Sequence, residues 1–181
     1  FDKQLADKDS FVTAIFHDES ADIVFKDMLG DRFNPEILKQ FLNKIGIDPD
    51  NGDNVQILQR SKDPGVKFKI LDRIINAPKN GVKSLFWFDG HGAKYGFSIT
   101  EKEHIYFEEI ADALHVAYDN GVDLKQLTLV FNSCHSGDFK DKILTMLEQR
   151  GVKDSPVIIT VAGHETELGY TDIVEHDGNK M

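Results

Sequence analysis

Two hydrophobic rhythms alternate along this chain. Phe11 to His17 (FVTAIFH) is dense in β-branched and aromatic residues, the composition of a strand. Asn34-Pro35 then supplies an N-cap followed by proline at the first helical position. Ile37, Leu38, Phe41, Leu42 and Ile45 follow at helical spacing, which predicts a helix with one apolar face. Val55 to Leu58 reads as a short second strand. Ile70, Leu71, Ile74 and Ile75 mark a second amphipathic helix, closed by Pro78. Leu85-Phe86-Trp87-Phe88 is a continuous apolar run, as expected of a strand covered on both faces.

The alternation continues to the end. Tyr95 to Thr100 reads as a small hairpin element. Phe107 to Tyr118 is a helix with Ile110, Ala113, Leu114 and Ala117 on one side. Leu127 to Phe131 (LTLVF) is a buried-type strand, a helix follows around Ile143, Met146 and Leu147, and Val157 to Val161 (VIITV) is a fifth strand. Strand and helix in turn predict an α/β fold, a mostly parallel sheet of five to six strands with helices on both faces. There is no internal repeat or linker-like tract, so residues 1–181 read as one domain. The polar stretch from Glu165 to Met181 reads as an incomplete element, with Leu168 to Val174 as a weak sixth strand.

Composition narrows the function classes. The chain has 181 residues, 40% of them hydrophobic and 29% charged, ordinary for a globular domain. No apolar run reaches the roughly 18 residues of a membrane span, so no membrane role is expected. The net charge of −10 repels phosphate backbones, and no basic block offsets it, so nucleic acid is not an expected partner. Localisation is left open, with the cytoplasm slightly favoured. The single cysteine excludes an internal disulfide.

In open α/β sheets the chemistry sits beyond the carboxyl ends of the strands. Those ends carry His17-Asp18-Glu19, Asp89-Gly90-His91-Gly92, Asn132-Ser133-Cys134-His135-Ser136-Gly137 and Ala162-Gly163-His164-Glu165. Cys134 directly follows a buried strand and precedes a helix, where the helix dipole favours the nucleophilic thiolate. A cysteine nucleophile needs a base. His135 is its sequence neighbour, and adjacent side chains on an extended segment point apart. His17 and His164 lie on other strands and remain open. His91 is preferred because Gly90 and Gly92 let the backbone turn sharply and let substrate approach. The Gly92 and Cys134 amides are candidate oxyanion donors.

FDGHG at Phe88 to Gly92 and NSCHSGDF at Asn132 to Phe139 resemble the His-Gly and Asp-x-Cys-x-Ser-Gly motifs of caspase-type cysteine peptidases, closest to metacaspases and their bacterial relatives. His91 precedes Cys134 by 43 residues, close to the roughly 50 of caspases. The resemblance implies a caspase-like three-layer sandwich and an endopeptidase with a His91–Cys134 dyad acting on protein or peptide substrates. Many relatives mature by self-cleavage, so association with a C-terminal fragment of the same precursor is an expectation. Metacaspases carry an acid two residues before the cysteine that helps select Arg or Lys. Here that place is Asn132, which lacks the charge, so that specificity does not transfer. Asp18, Glu19 and Asp89 are alternative acids, each expected to be a solvated loop residue in the ordinary case; Asp18, Asp89 and Asn132 are the candidate substrate-binding residues. No cofactor is implied. Some metacaspases need calcium, but Asp48-Pro49-Asp50-Asn51-Gly52-Asp53 lacks the downstream bidentate Glu and reads as a plain turn.

Two rival readings remain. A binding or scaffold domain could keep the fold without activity. The tetrapeptide DGHG also occurs in metal-dependent phosphatases of the PP2C type, which would need a β-sandwich and further metal-binding aspartates.

Overall fold

A run of six buried residues, Phe11–Phe16, forms strand β1, an interior strand of the main sheet. The structure is a computed structural model that describes residues 9–16, 35–59, 63–93, 95–100, 102–133 and 136–160. Around β1 the chain places β2 (Val55–Gln59), β3 (Ser84–Asp89), β7 (Leu127–Asn132) and β8 (Val157–Thr160) in the spatial order β2-β1-β3-β7-β8, every pairing parallel. Parallel neighbours need crossovers, and helices supply them. They are α1 (Pro35–Lys44), α2 (Val66–Ile75), α3 (Phe107–Asp119) and α4 (Ser136–Gln149).

Because successive strand residues face opposite sides, the sheet has two cores. Val12, Ala14, Phe16, Leu85, Trp87 and Val130 pack with Leu38 and Leu42 of α1 on one face. Ile15, Phe86, Phe88, Leu129 and Phe131 pack with α2, α3 and α4 on the other. The result is an α/β three-layer sandwich with a mostly parallel five-stranded sheet. The expected helix and strand positions match within a few residues; Leu168 to Val174, the weak sixth strand, lies outside the described residues. Among the described residues no helix is long and apolar enough to cross a membrane.

The expected hairpin element is larger than the pattern indicates. It is a three-stranded antiparallel sheet of β4 (His91–Ala93), β5 (Gly96–Ser98) and β6 (His104–Tyr106). Strands of three residues are too short to show a period, and His91-Gly92-Ala93 reads locally as a turn. Gly96 is required here, since a Cβ would collide with the Ile105 carbonyl oxygen on β6. Phe97 and Ile105 turn inward and join the larger core. The Asp48-to-Asp53 loop is a run of turns, with the Asp50 amide donating to Asp48 Oδ1 at 2.9 Å.

At the amino end of the sheet, Arg73 of α2 ties three segments together. Its Nε donates to Thr13 Oγ1 at 2.6 Å, and one terminal nitrogen donates to the carbonyls of Val12 and Asn54 at 3.3 and 3.2 Å. The guanidinium also lies 3.9 Å from the centre of the Phe11 ring. Burial lowers its pKa to about 10, below the ordinary guanidinium value, with the neighbouring Asp72 pulling the other way.

Candidate active site

The carboxyl end of the sheet is level across its central strands. Phe16 of β1 and Asn132 of β7 both pair with Asp89 of β3, and Phe131 pairs with Thr160 of β8. Of the sequence-nominated rim, the structure describes residues 89–92, 132–133 and 136–137; His17, Asp18, Glu19, Cys134, His135, His164 and Glu165 lie outside the described residues.

Asp89 differs from its expectation as a solvated loop residue. It is the last residue of β3 and is 0% exposed. Residues 85, 87 and 89 alternate onto one face, so Trp87 points the same way as Asp89. Its indole Nε1 donates to Asp89 Oδ2 at 3.0 Å. Across the sheet, Asn132 Nδ2 donates to the same oxygen at 2.9 Å. Asn132 is also buried, at 1% exposure. Two donors on one oxygen suit a carboxylate, which accepts and cannot donate when ionised. They also fix which way the Asn132 amide faces, because its oxygen cannot sit against Asp89 Oδ2. Among the described residues no donor reaches Asn132 Oδ1 or Ser133 Oγ.

Beyond this rung the β3 chain turns sharply. Gly90 has φ 144°, a conformation that side chains rarely adopt. Its amide donates to the Asn132 carbonyl at 3.1 Å, continuing the β3–β7 ladder one step past the last paired residues. The turn delivers His91 to the start of β4, partly buried, with Gly92 next to it and also partly exposed. On β7 the chain leaves Asn132 through the buried Ser133. The helix α4 begins at Ser136, two residues beyond Cys134 in sequence, and contains Gly137 in its first turn.

His91 also has neighbours that the sequence did not single out. It pairs with Ser98 of β5, and Ser98 pairs with His104 of β6. Directly opposed residues of an antiparallel sheet share a face, so the three form one row. Ser98 Oγ is 2.9 Å from His104 Nδ1, with donor and acceptor set by the histidine tautomer. His104 in turn meets Tyr95 edge-on, ring centres 5.5 Å apart. His104 lies six positions after Ser98, and only the hairpin geometry brings them together. Trp87 was likewise read only as an apolar strand residue; the signal for its polar role was its spacing of two from Asp89.

The structure therefore brings together Asp89, Asn132, Gly90 and the start of β4 at His91. The two segments that bear His91 and Cys134 leave from adjacent parallel strands. Comparison with protein-family models, with curated proteins and with solved structures finds no match to this chain.

Proposed function

We propose that this chain is a cysteine endopeptidase in which Cys134 is the nucleophile and His91 its proton-transfer partner. One observation carries the reading. Asp89 and Asn132 form the last rung between β3 and β7, and His91 and Cys134 each follow their rung residue by two positions. Neighbouring strand ends are where a nucleophile and a base from distant parts of a chain can meet. The buried polar rung, the glycine turn before His91 and the helix start after Cys134 all support the same reading.

In the proposed reaction the Cys134 thiolate attacks the scissile carbonyl carbon. The carbonyl π pair moves to oxygen, held by the amides of Gly92 and Cys134. Collapse breaks the C–N bond, and His91 protonates the departing amine, leaving a thioester. His91 then takes a proton from water as it attacks the thioester, and the thiolate leaves. The PP2C-type reading finds no support in a parallel α/β sheet, because its metal site is built on a β-sandwich.

Incubation with a diverse peptide library tests the proposal. Discrete cleavage is expected, falling by at least about 10³-fold in Cys134→Ala. Undiminished cleavage by Cys134→Ala would overturn the mechanism, and no cleavage of any peptide by the wild type would favour a scaffold. The cleavage profile also reads whether a basic residue is preferred although residue 132 is an amide.

A further inference from the structure

We infer that the buried Asp89–Asn132 pair is a register clamp that positions the His91 turn, rather than a substrate-facing part of the site. The inference rests on the peptidase reading for its consequence in catalysis, but its geometry stands independently.

The other rungs between β3 and β7 hold register weakly. They pair Ser84 with Leu127, Leu85 with Thr128, Phe86 with Leu129, Trp87 with Val130 and Phe88 with Phe131. In none of these rungs do two polar side chains meet, so they tolerate a slip of two residues, which keeps every side chain on its own face. Asp89–Asn132 does not tolerate it. Any slip would leave the fully buried acid of Asp89 without the Asn132 amide, and a buried polar group is costly unless hydrogen-bonded. A well-packed apolar pair would be cheaper at this position, so the polar pair is explained by the geometry it enforces.

That geometry is the path of the chain toward His91. The side-chain bond lies on one side of the rung's end, and the bond from the Gly90 amide to the Asn132 carbonyl continues the ladder beside it. Together they tie the peptide that enters His91 to the strand end that leads to Cys134. Both side chains are at most 1% exposed, so neither is open to a bound peptide. Asp89 and Asn132 are positioning residues: they act through the turn they hold.

The test uses Asn132→Asp, Asp89→Asn and the reciprocal double variant, with two readouts. Amide hydrogen exchange at Gly90 reports the turn itself. The rate of Cys134 alkylation by iodoacetamide, followed across pH, reports the consequence at the thiol. Asn132→Asp sets two carboxylates face to face and is expected to speed Gly90 exchange by at least about 10-fold and to slow alkylation about 10-fold near neutral pH. Asp89→Asn leaves a neutral pair and is expected to have the same effects, more weakly. The double variant restores one acid and one amide, and both readouts should return to within about 3-fold of wild type. Unchanged Gly90 exchange in Asn132→Asp, or a double variant no better than Asn132→Asp alone, would overturn the clamp. Alkylation that depends on His91 but ignores all three variants would overturn its positioning role and leave the peptidase reading intact. Exchange that follows the pair, with wild-type alkylation slow and indifferent to His91→Ala, would support the clamp and bring down the peptidase reading.

Discussion

The two ends of the parallel sheet each bury an ionisable side chain, wholly at Asp89 and partly at Arg73, and they satisfy it with different kinds of partner. At the amino end Arg73 donates to one hydroxyl and two backbone carbonyls, and lies against the Phe11 ring. Two of the three acceptors are carbonyls, which are present whatever the sequence, so this arrangement depends on chosen side chains only through Thr13. At the carboxyl end Asp89 accepts from two side chains, Trp87 and Asn132. Those donors exist only because particular residues occupy alternate positions on one strand and the matching position on its neighbour. A buried charge met by backbone contributes mainly to stability; one met by chosen side chains fixes a local geometry. The second kind lies where the candidate chemistry is.

Arg73→Ala probes the amino end and carries the largest expected effect on stability. It removes three hydrogen bonds from a charged donor and strips the Thr13 hydroxyl, which is 0% exposed, of its donor. A loss of about 2–4 kcal/mol is expected in denaturant unfolding, with the alkylation rate of folded Cys134 unchanged. A slowed Cys134 would show that the two ends are coupled and would break the contrast.

Gly90→Ala probes the carboxyl end. A φ of 144° strains any side chain, so a cost of about 1–3 kcal/mol is expected. Unlike Arg73→Ala, it should also slow alkylation of Cys134 in protein that remains folded, because the His91 turn moves. Stability loss alone, with reactivity intact, would place the turn outside the machinery.

The smallest expected effect is a flat line. The folded pKa of Arg73, about 10, lies below the ordinary guanidinium value. Only between those values does the unfolded chain hold the extra proton, and there this group's contribution to stability rises with pH; below about 10 it is constant. The stability difference between wild type and Arg73→Ala should therefore not change between about pH 6 and 9. A slope in that window would mean that Arg73 is linked to a group that titrates there.

Much of this was legible in the pattern of residues. FVTAIFH reads as a strand from its β-branched and aromatic residues, and LFWF and LTLVF read as buried strands from their apolar character. His91 and Cys134 stand out as candidates because both follow predicted strand ends, His91 between two glycines. The strand order was not, since sequence gives the order along the chain and the sheet is assembled by long-range packing. The short antiparallel sheet was legible only in part, as the hairpin element at Tyr95 to Thr100 that holds β5, because strands of three residues have no readable period. Asp89 was misjudged for a related reason. An acid beside glycine has the local signature of a solvated turn, and only the cross-strand register with Asn132 and the indole of Trp87 make its burial tolerable.

The central claim is that His91 activates Cys134, and the rate of Cys134 alkylation by iodoacetamide in wild type and His91→Ala tests it most directly. The account predicts rapid alkylation near neutral pH in the wild type and a rate at least about 10-fold lower in folded His91→Ala. Slow alkylation that is the same in both proteins would contradict it.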